Sequence, residues 1–287
     1  MIRSILVAMD DSNTSRSALE VAVDLAKTTG AKLKGLYVED ILRLLEWQPT
    51  ELIGAAMGAS STLPSSRPTG EQIEIEKEFV QEANKLNKLF NEACNKFLIQ
   101  GSLITRRGKV DELVIQYSRT ADMVVIGRRG KTYPLDSQDP GPTTENLLRK
   151  STRPVFVIPA GGKLTNKILI AYDGSETSQR ALYTGAQFAK IQPSEVLVIS
   201  VADDIDSGEN QLNEAKEFLS PYKLNVSYLV AFDSHKPSKE IMRNANNFDA
   251  GTIVLGAFGS NKLLELIFGS TTREVLMQAT CPVLLCR

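Results

Sequence analysis

Short apolar runs alternate with longer amphipathic segments along the whole chain. In the C-terminal part, apolar runs near 167–172, 196–201, 225–230, 252–256 and 282–286 predict strands, and segments near 176–190, 209–220, 237–247 and 270–279 predict the helices between them. The N-terminal part has the same order, with strands near 3–9, 33–38, 102–106, 122–127 and 154–158. Strands that alternate with helices are typical of a parallel sheet covered on both faces. We therefore predict an α/β, Rossmann-like fold.

A long helix is predicted from about Glu71 to Gln100. Its apolar residues recur at spacings of three and four and form one face: Phe79, Ala83, Leu86, Phe90, Ala93 and Phe97. Such a face packs against a sheet in most globular proteins. Binding of a partner by this face is the alternative.

Two segments of the chain are copies of one unit. Ile5–Ser12 matches Ile168–Ser175 at a displacement of 163 residues, and Val124–Gly127 matches Ile253–Gly256 at 129. A duplication of this kind predicts two tandem domains, 1–160 and 163–287. The fall in displacement means that the first copy carries extra residues between its opening and its fourth strand.

The extra residues lie mainly at about 42–70. Glycine and proline are frequent there, and no periodicity is sustained, so we predict a loop. A flexible surface excursion is the simplest interpretation. The alternative is that the loop, which follows a strand of the first copy, covers that copy's pocket or contacts a partner, with Trp47 and the nearby Leu44 and Leu45 as the part most suited to docking.

Composition and charge narrow the class of protein. The 33 Lys and Arg are balanced by 34 Asp and Glu, which argues against nucleic acid as a partner. Apolar stretches are far shorter than the roughly 20 residues of a membrane span, and no signal-peptide core begins the chain. We therefore expect a cytoplasmic protein without a membrane partner. Three cysteines and one histidine, His235, argue against a disulfide framework or a multi-histidine metal site.

A glycine-rich motif follows the fourth strand of the second copy. Gly256 and Gly259 are followed after nine residues by Gly269 and Ser270, at the start of a predicted helix. Glycines let the backbone approach a ligand, and the free N–H groups of a helix start attract phosphate oxygens. Thr271 and Thr272 add hydroxyl donors. Thr271 and Glu274 also have the spacing of a capping box, which would explain one threonine structurally.

Two more strands of the second copy end beside this motif in the predicted sheet. Ala171 and Asp173 close the first strand, where an aspartate can accept hydrogen bonds from a base or ribose, and Val201 near the end of the second can pack on a flat ring. Helix capping by Asp173 and core packing by Val201 are the structural alternatives.

Together these residues resemble the universal stress protein family, specifically its tandem members. The motif of Gly256, Gly259, Gly269 and Ser270 reproduces the family's ATP-binding pattern without a gap. The resemblance implies five-stranded parallel sheets of order 3-2-1-4-5 and ATP as ligand, accompanied by Mg or Mn. It also implies that the two copies pair as an internal pseudo-dimer, and a homodimer of the whole chain is possible.

By this resemblance each part of the nucleotide has its own contacts. Asp173 and Val201 would hold adenosine, Gly256 and Gly259 would approach ribose and phosphate, and the helix start would hold phosphates through Gly269, Ser270, Thr271 and Thr272.

The first copy departs from the pattern. Gly127 and Gly130 begin it correctly, but ten residues precede Gly141, and Pro142 follows where a hydroxyl residue is expected. Proline offers phosphate neither an N–H nor a hydroxyl, so we predict weak or absent ATP binding in the first copy. Arg128, Arg129 and Lys131 would either compensate by charge or form a solvated turn.

Three functions stay open from the sequence. The first is an ATP-binding regulator of a stress response, with the nucleotide in the second domain. The second is a slow ATP hydrolase, for which Asp203 and Asp204, after the second strand, are candidate carboxylates but have no recognisable motif and are equally explained as surface residues. The third is an interaction scaffold that binds no nucleotide, with a protein partner that the sequence does not identify. We favour the first.

Overall fold

The computed structural model describes residues 2–45, 70–131, 140–191, 193–232, 236–257 and 269–287. Within these ranges ten strands form one sheet. The strands are β1 (Ser4–Met9), β2 (Lys32–Asp40), β3 (Gly101–Gly108), β4 (Met123–Gly127), β5 (Val155–Ile158), β6 (Lys167–Ala171), β7 (Glu195–Ala202), β8 (Asn225–Phe232), β9 (Thr252–Gly256) and β10 (Val283–Cys286). The predicted strands are found at nearly the predicted bounds.

Helices lie between these strands. They are α1 (Asn13–Thr29), α2 (Ile41–Leu45), α3 (Gly70–Lys96), α4 (Val110–Ser118), α5 (Pro142–Lys150), α6 (Glu176–Ala189), α7 (Ile205–Leu219), α8 (Pro237–Phe248) and α9 (Ser270–Gln278). Residues 46–69, which hold most of the predicted insertion and Trp47, lie outside the described residues.

The sheet consists of two five-stranded halves. The strand order is β3-β2-β1-β4-β5 in the first half and, continuing from its edge, β10-β9-β6-β7-β8 in the second. Neighbouring strands within each half are parallel. The predicted α/β class and the order 3-2-1-4-5 in each half are therefore confirmed. The predicted boundary near residue 161 falls between β5 and β6.

The two halves join through their last strands. β5 and β10 pair antiparallel, with Val157 opposite Val283 and Phe156 opposite Leu284. The pairing makes the main-chain hydrogen bonding continuous across the junction. It also covers an edge that each half would otherwise expose.

Two apolar layers run along the sheet, one on each face. One layer is built with α1, α3, α6 and α7, and the other with α4, α5, α8 and α9. Each layer contains buried side chains of both halves, for example Leu25 and Leu182 in the first and Leu147 and Leu276 in the second. The core is thus shared rather than divided at the junction.

Helix α3 packs against the sheet, as its apolar periodicity predicts. Phe79, Leu86 and Phe90 are fully buried, and a Cβ at Gly35 of β2 would lie 2.9 Å from the Phe90 ring. The apolar face of the helix therefore packs within its own half, and these three buried side chains are not accessible to a partner.

Side chains also cross the junction. The ring of Phe156 in β5 meets the ring of Phe188 in α6 edge to face, with centroids 5.4 Å apart. Each half in addition sends an arginine to the last helix of the other half. Arg128 Nη1 donates to the carbonyl oxygens of Leu276, Met277 and Ala279 at the end of α9, at 2.9, 3.1 and 2.9 Å.

The reverse contact comes from a different position. Arg287 donates to the carbonyl of Arg149 near the end of α5. A cation at a helix C-terminus stabilises the helix because the last carbonyls lack partners and carry partial negative charge. The C-terminal ends of α5 and α9 are therefore each capped by an arginine of the other half.

In the described part of the chain, no helix is both long enough and apolar enough to cross a membrane.

We expect Phe156→Ala to lower the free energy of unfolding by about 3–5 kcal/mol, because it removes a fully buried ring and opens a cavity at the junction. Urea denaturation followed by circular dichroism measures this. Phe232→Ala serves as the control, because that ring is 52% exposed, and should change stability little. Equal losses in the two variants would contradict a junction held by Phe156.

Candidate functional site

Three predicted site residues lie at one edge of the second half of the sheet. Ala171 ends β6, Val201 lies one residue before the end of β7, and Gly256 ends β9. β6 pairs in parallel with both β7 and β9, so these C-terminal ends point the same way. Ala171 and Val201 are half-buried and pack against the same apolar layer.

Asp173 holds the loop that follows β6. Its Oδ1 accepts a hydrogen bond from the Ser175 amide at 3.0 Å, and its own amide faces the Ser178 hydroxyl at 3.4 Å. Helix α6 is capped by Ser175, whose hydroxyl accepts from the Ser178 amide at 3.2 Å. The alternative that Asp173 is the helix cap is therefore wrong. The Asp173 side chain is exposed at the strand end.

Gly256 is required by helix packing. A Cβ on it would lie 2.6 Å from Thr177 Oγ1 and 2.9 Å from the Ser178 amide nitrogen. Gly127 in the first half has the same relation to Thr14 and Ser15. The absence of a side chain therefore lets the first helix of each half approach the end of its central strand, a reason that the motif alone does not reveal.

Helix α9 begins at the predicted position. Gly269 is its N-cap residue and makes no side-chain cap bond, having no side chain, and Ser270 is exposed. Thr272 is buried, and its hydroxyl donates to the Gly256 carbonyl at 3.2 Å, which ties the helix start to β9. Gly259 lies outside the described residues.

The capping-box interpretation of Thr271 and Glu274 is wrong. The cap position is Gly269, so Thr271 stands two residues inside the cap. The Glu274 carboxylate instead accepts a hydrogen bond from the Ser238 hydroxyl on α8. The capping-box explanation therefore does not account for Thr271, which lies half-buried in the first turn of α9.

The first half contains a cleft at the corresponding place, with a volume of about 500 Å³. Equivalents of the predicted residues, all except that of Val201, line it: Ala8, Asp10, Gly127, Gly130, Gly141, Pro142, Thr143 and Thr144. The fold thus brings these positions together around one concave surface. Leu42, at the start of the predicted insertion, lines the same cleft.

At the end of this cleft that corresponds to the phosphate motif, the chain offers fewer free hydrogen-bonding groups than the motif predicts. Pro142 occupies the first turn of α5 and brings no N–H. The Gly141 amide donates to the Arg128 carbonyl at 3.0 Å. Asp10 Oδ2 accepts from the Lys131 amide at 2.8 Å. The Gly141 amide and the Asp10 carboxylate are therefore already hydrogen-bonded within the first half.

Two of the three basic residues of the first motif have partners elsewhere, whereas Arg129 lines the cleft. Arg128 caps α9 of the second half, as described above, so it neither faces its own cleft nor forms a solvated turn, and both alternatives for it are wrong. Lys131 Nζ pairs with the buried Glu82 carboxylate at 3.2 Å. Its charge is therefore largely balanced by α3.

Two polar pairs that sequence reasoning missed fix α7 of the second half to the sheet. The Tyr172 hydroxyl donates to Glu214 Oε2 at 3.0 Å, and the Ser200 hydroxyl donates to Gln211. Burial and the Glu214 carboxylate raise the pKa of Tyr172 to about 12. The sequence signal for these pairs was a polar residue, Tyr172 or Ser200, at the end of an apolar strand.

The carboxylates considered for hydrolysis lie after β7. Asp204 Oδ1 accepts from the Ser207 amide at 2.7 Å and caps α7, so its position has a structural cause. Asp203 is exposed.

Over the described ranges, no three acidic, cysteine or histidine side chains are grouped so that they could hold a metal ion. Burial raises the pKa of the Cys286 thiol to about 11, which keeps it protonated and unreactive near neutral pH.

Comparison with known proteins gives consistent matches over the chain. The model of the Universal stress protein family matches residues 1–56, 54–159 and 165–287. A universal stress protein from Synechocystis is 24% identical over 293 residues, with 99% of each chain covered. The universal stress protein YxiE of Bacillus subtilis is 28% identical over 148 residues, which span 42% of this chain and 99% of that protein.

Solved structures show the same fold. The crystal structure of a universal stress protein from Archaeoglobus fulgidus has a TM-score of 0.72 at 21% identity and covers 99% of this chain and 96% of its own.

We expect Gly256→Ala to lower the free energy of unfolding by about 1–3 kcal/mol, because the new methyl group overlaps main-chain atoms of α6. Urea denaturation measures the loss. Gly70→Ala is the control, since nothing lies within 4 Å of the added Cβ at that helix start. A neutral Gly256→Ala would contradict the packing explanation.

The Tyr172–Glu214 pair predicts a pH dependence. Because folding raises the pKa of Tyr172 from about 10 to about 12, its contribution is complete below pH 10 and is lost as the pH rises to 12. Tyr172→Phe should therefore be less stable than the wild type at pH 8 by about 1 kcal/mol. The difference should shrink between pH 10 and 12, measured by urea denaturation at several pH values. A constant difference would show that the hydroxyl proton is not involved.

Proposed function

The chain belongs to the universal stress protein family, and from this we propose that it is an ATP-binding regulator of a stress response. The nucleotide binds in the second half, at the edge formed by β6, β7, β9 and the start of α9. Asp173 and Val201 contact adenosine, and Gly256 and Gly259 approach the ribose and phosphates. Gly269, Ser270, Thr271 and Thr272 hold the phosphates.

The observation that carries the proposal is the start of α9. Its N-cap residue is a glycine, and among the described residues a Cβ there would meet only Thr272 Oγ1, at 3.8 Å. The first amides of a helix have no partner inside the helix, and they carry partial positive charge. Ser270 adds an exposed hydroxyl beside them. Such a site fits anionic oxygens, and the family pattern identifies them as phosphates.

The first half supports the proposal by contrast. There the same helix start carries Pro142, and the preceding amide is already bound to Arg128. The same eight positions line a cleft in that half, which supports the placement of their equivalents around a ligand in the second half. We infer weak or absent ATP binding in the first half.

A divalent cation, Mg or Mn, would accompany the triphosphate and supply neutralisation of its charge. The hydroxyl-rich start of α9 fits a ligand that brings its cation with it, because the side chains there are neutral donors rather than a carboxylate cage. We assign no protein ligand to this cation. We also assign no catalytic base, because Asp204 is engaged as the cap of α7.

Ser270→Pro copies into the second half the residue of the first. Proline is tolerated in the first turn of a helix, as Pro142 shows, so the variant should fold. It removes one N–H and one hydroxyl, and hydrogen bonds to charged groups contribute about 1.5–3 kcal/mol each. We therefore expect ATP affinity to fall by about tenfold or more, measured by isothermal titration with MgATP.

Ser270→Ala is the matched control, because it keeps the amide and removes only the hydroxyl. Its affinity should lie between those of the wild type and the proline variant. Nucleotide retained by the purified wild type, and absent from Ser270→Pro, would support the same conclusion. Wild type that binds no ATP would favour the scaffold function, and phosphate release above a buffer control would favour the hydrolase.

A further inference from the structure

Arg128 is a residue of the first half whose side chain contacts the second half. Its guanidinium touches three carbonyl oxygens in the last turn of α9, the helix whose other end forms the proposed phosphate site. α9 has nine residues, Ser270–Gln278. A rigid helix of this length, about 13 Å, moves as one body, so a contact that fixes its end also fixes its start.

The main chain of Arg128 is itself firmly held. Its amide donates to the Ile158 carbonyl at the end of β5 at 2.8 Å, and its carbonyl accepts from the Gly141 amide at 3.0 Å. One bond ties the residue to the junction strand and the other to the start of α5. The side chain therefore extends from a fixed support.

The position is specific to the first half. The equivalent residue of the second half is Ala257, whose amide donates to the Cys286 carbonyl at 2.7 Å in the same way. Alanine has no side chain that reaches across the junction. α5 is contacted instead by Arg287, from the end of the chain. Arg128 thus makes a contact across the junction that Ala257, its equivalent, cannot make.

We propose that Arg128 is a positioning residue for the nucleotide site of the second half. It neutralises the negative end of α9 and sets where the helix lies against β9, and thereby places the amides of Ser270 and Thr271 for phosphate. The inference rests on the proposed function, since it concerns the same site. It assigns to the first half's loop a role in ATP binding that requires no ligand in the first cleft.

The charge of the group supports this role. Burial and the neighbouring Arg129 lower the pKa of Arg128, so the protein places a desolvated guanidinium against helix carbonyls at a cost in solvation. Three carbonyl contacts offset that cost. All three bonds come from Nη1, and the buried Nε makes none. Lysine at this position would keep the positive charge but carry it on a shorter side chain.

The test compares ATP with adenosine. In Arg128→Met, a long and uncharged side chain replaces the guanidinium, and we expect ATP affinity to fall about fivefold or more, the lower end of typical coupling between sites. Adenosine affinity, measured by displacement of a fluorescent ATP analogue, should stay unchanged, because adenosine makes no contact with the start of α9. Arg128→Lys should bind ATP with intermediate affinity.

Arg287→Met is the matched control. It removes the corresponding arginine contact from α5, whose helix start carries Pro142, and should leave ATP affinity unchanged. Thermal unfolding of all variants establishes that they are folded. If Arg128→Met does not fold, Arg128→Lys carries the comparison of ATP with adenosine.

The outcomes separate the two proposals. If the wild type does not bind ATP, the proposed function and this inference fail together. If the wild type binds ATP and Arg128→Met binds it equally well, only the role of Arg128 is overturned. Equal losses for ATP and adenosine, or an equal loss of ATP affinity in Arg287→Met, would overturn it as well, because they would indicate general damage to the junction.

Discussion

The antiparallel pairing of β5 with β10 is the constraint on which the rest of the structure depends. It joins two parallel sheets into one ten-stranded sheet, and thereby lets both apolar layers run across the junction. Each half alone would expose a hydrophobic edge strand, since all four residues of β5 and of β10 are buried in the joined sheet. The duplication therefore has a direct physical use: each copy covers the edge of the other.

The junction also explains why the two halves can differ at their ligand-binding edges. The hydrogen bonds that fix the first and last helix of each half are the same in both halves. Ser12 and Ser175 cap the first helices. Thr144 and Thr272 bind the carbonyls of Gly127 and Gly256 and so tie the last helices to the central strands. These bonds depend on the fold and not on a ligand. With the frame maintained by packing, Pro142 can replace a serine in one half without disturbing the other.

Most of the fold followed from the sequence because it depends on local periodicity and on an internal repeat. Buried parallel strands give continuous apolar runs, and the repeat showed that both halves share one topology. For the candidate site, the sequence suffices where a single residue's chemistry decides, as with Pro142 in the first turn of α5. It was not predictable where a distant segment decides the role. The crowding of Gly256 by α6, the bond from Ser238 to Glu274, and the contact of Arg128 with α9 link residues between 36 and 151 positions apart, and no local pattern records them.

Taken by themselves, residues 127–130 indicate a nucleotide-binding loop that has lost its function. Arg128 in this loop is nevertheless held at both its amide and its carbonyl, and its side chain is committed to another helix. A substitution at this position would therefore first disturb the end of α9, in the other half. In an alignment of the two copies, the arginine opposite Ala257 therefore marks a contact between the halves and not only the loss of a motif.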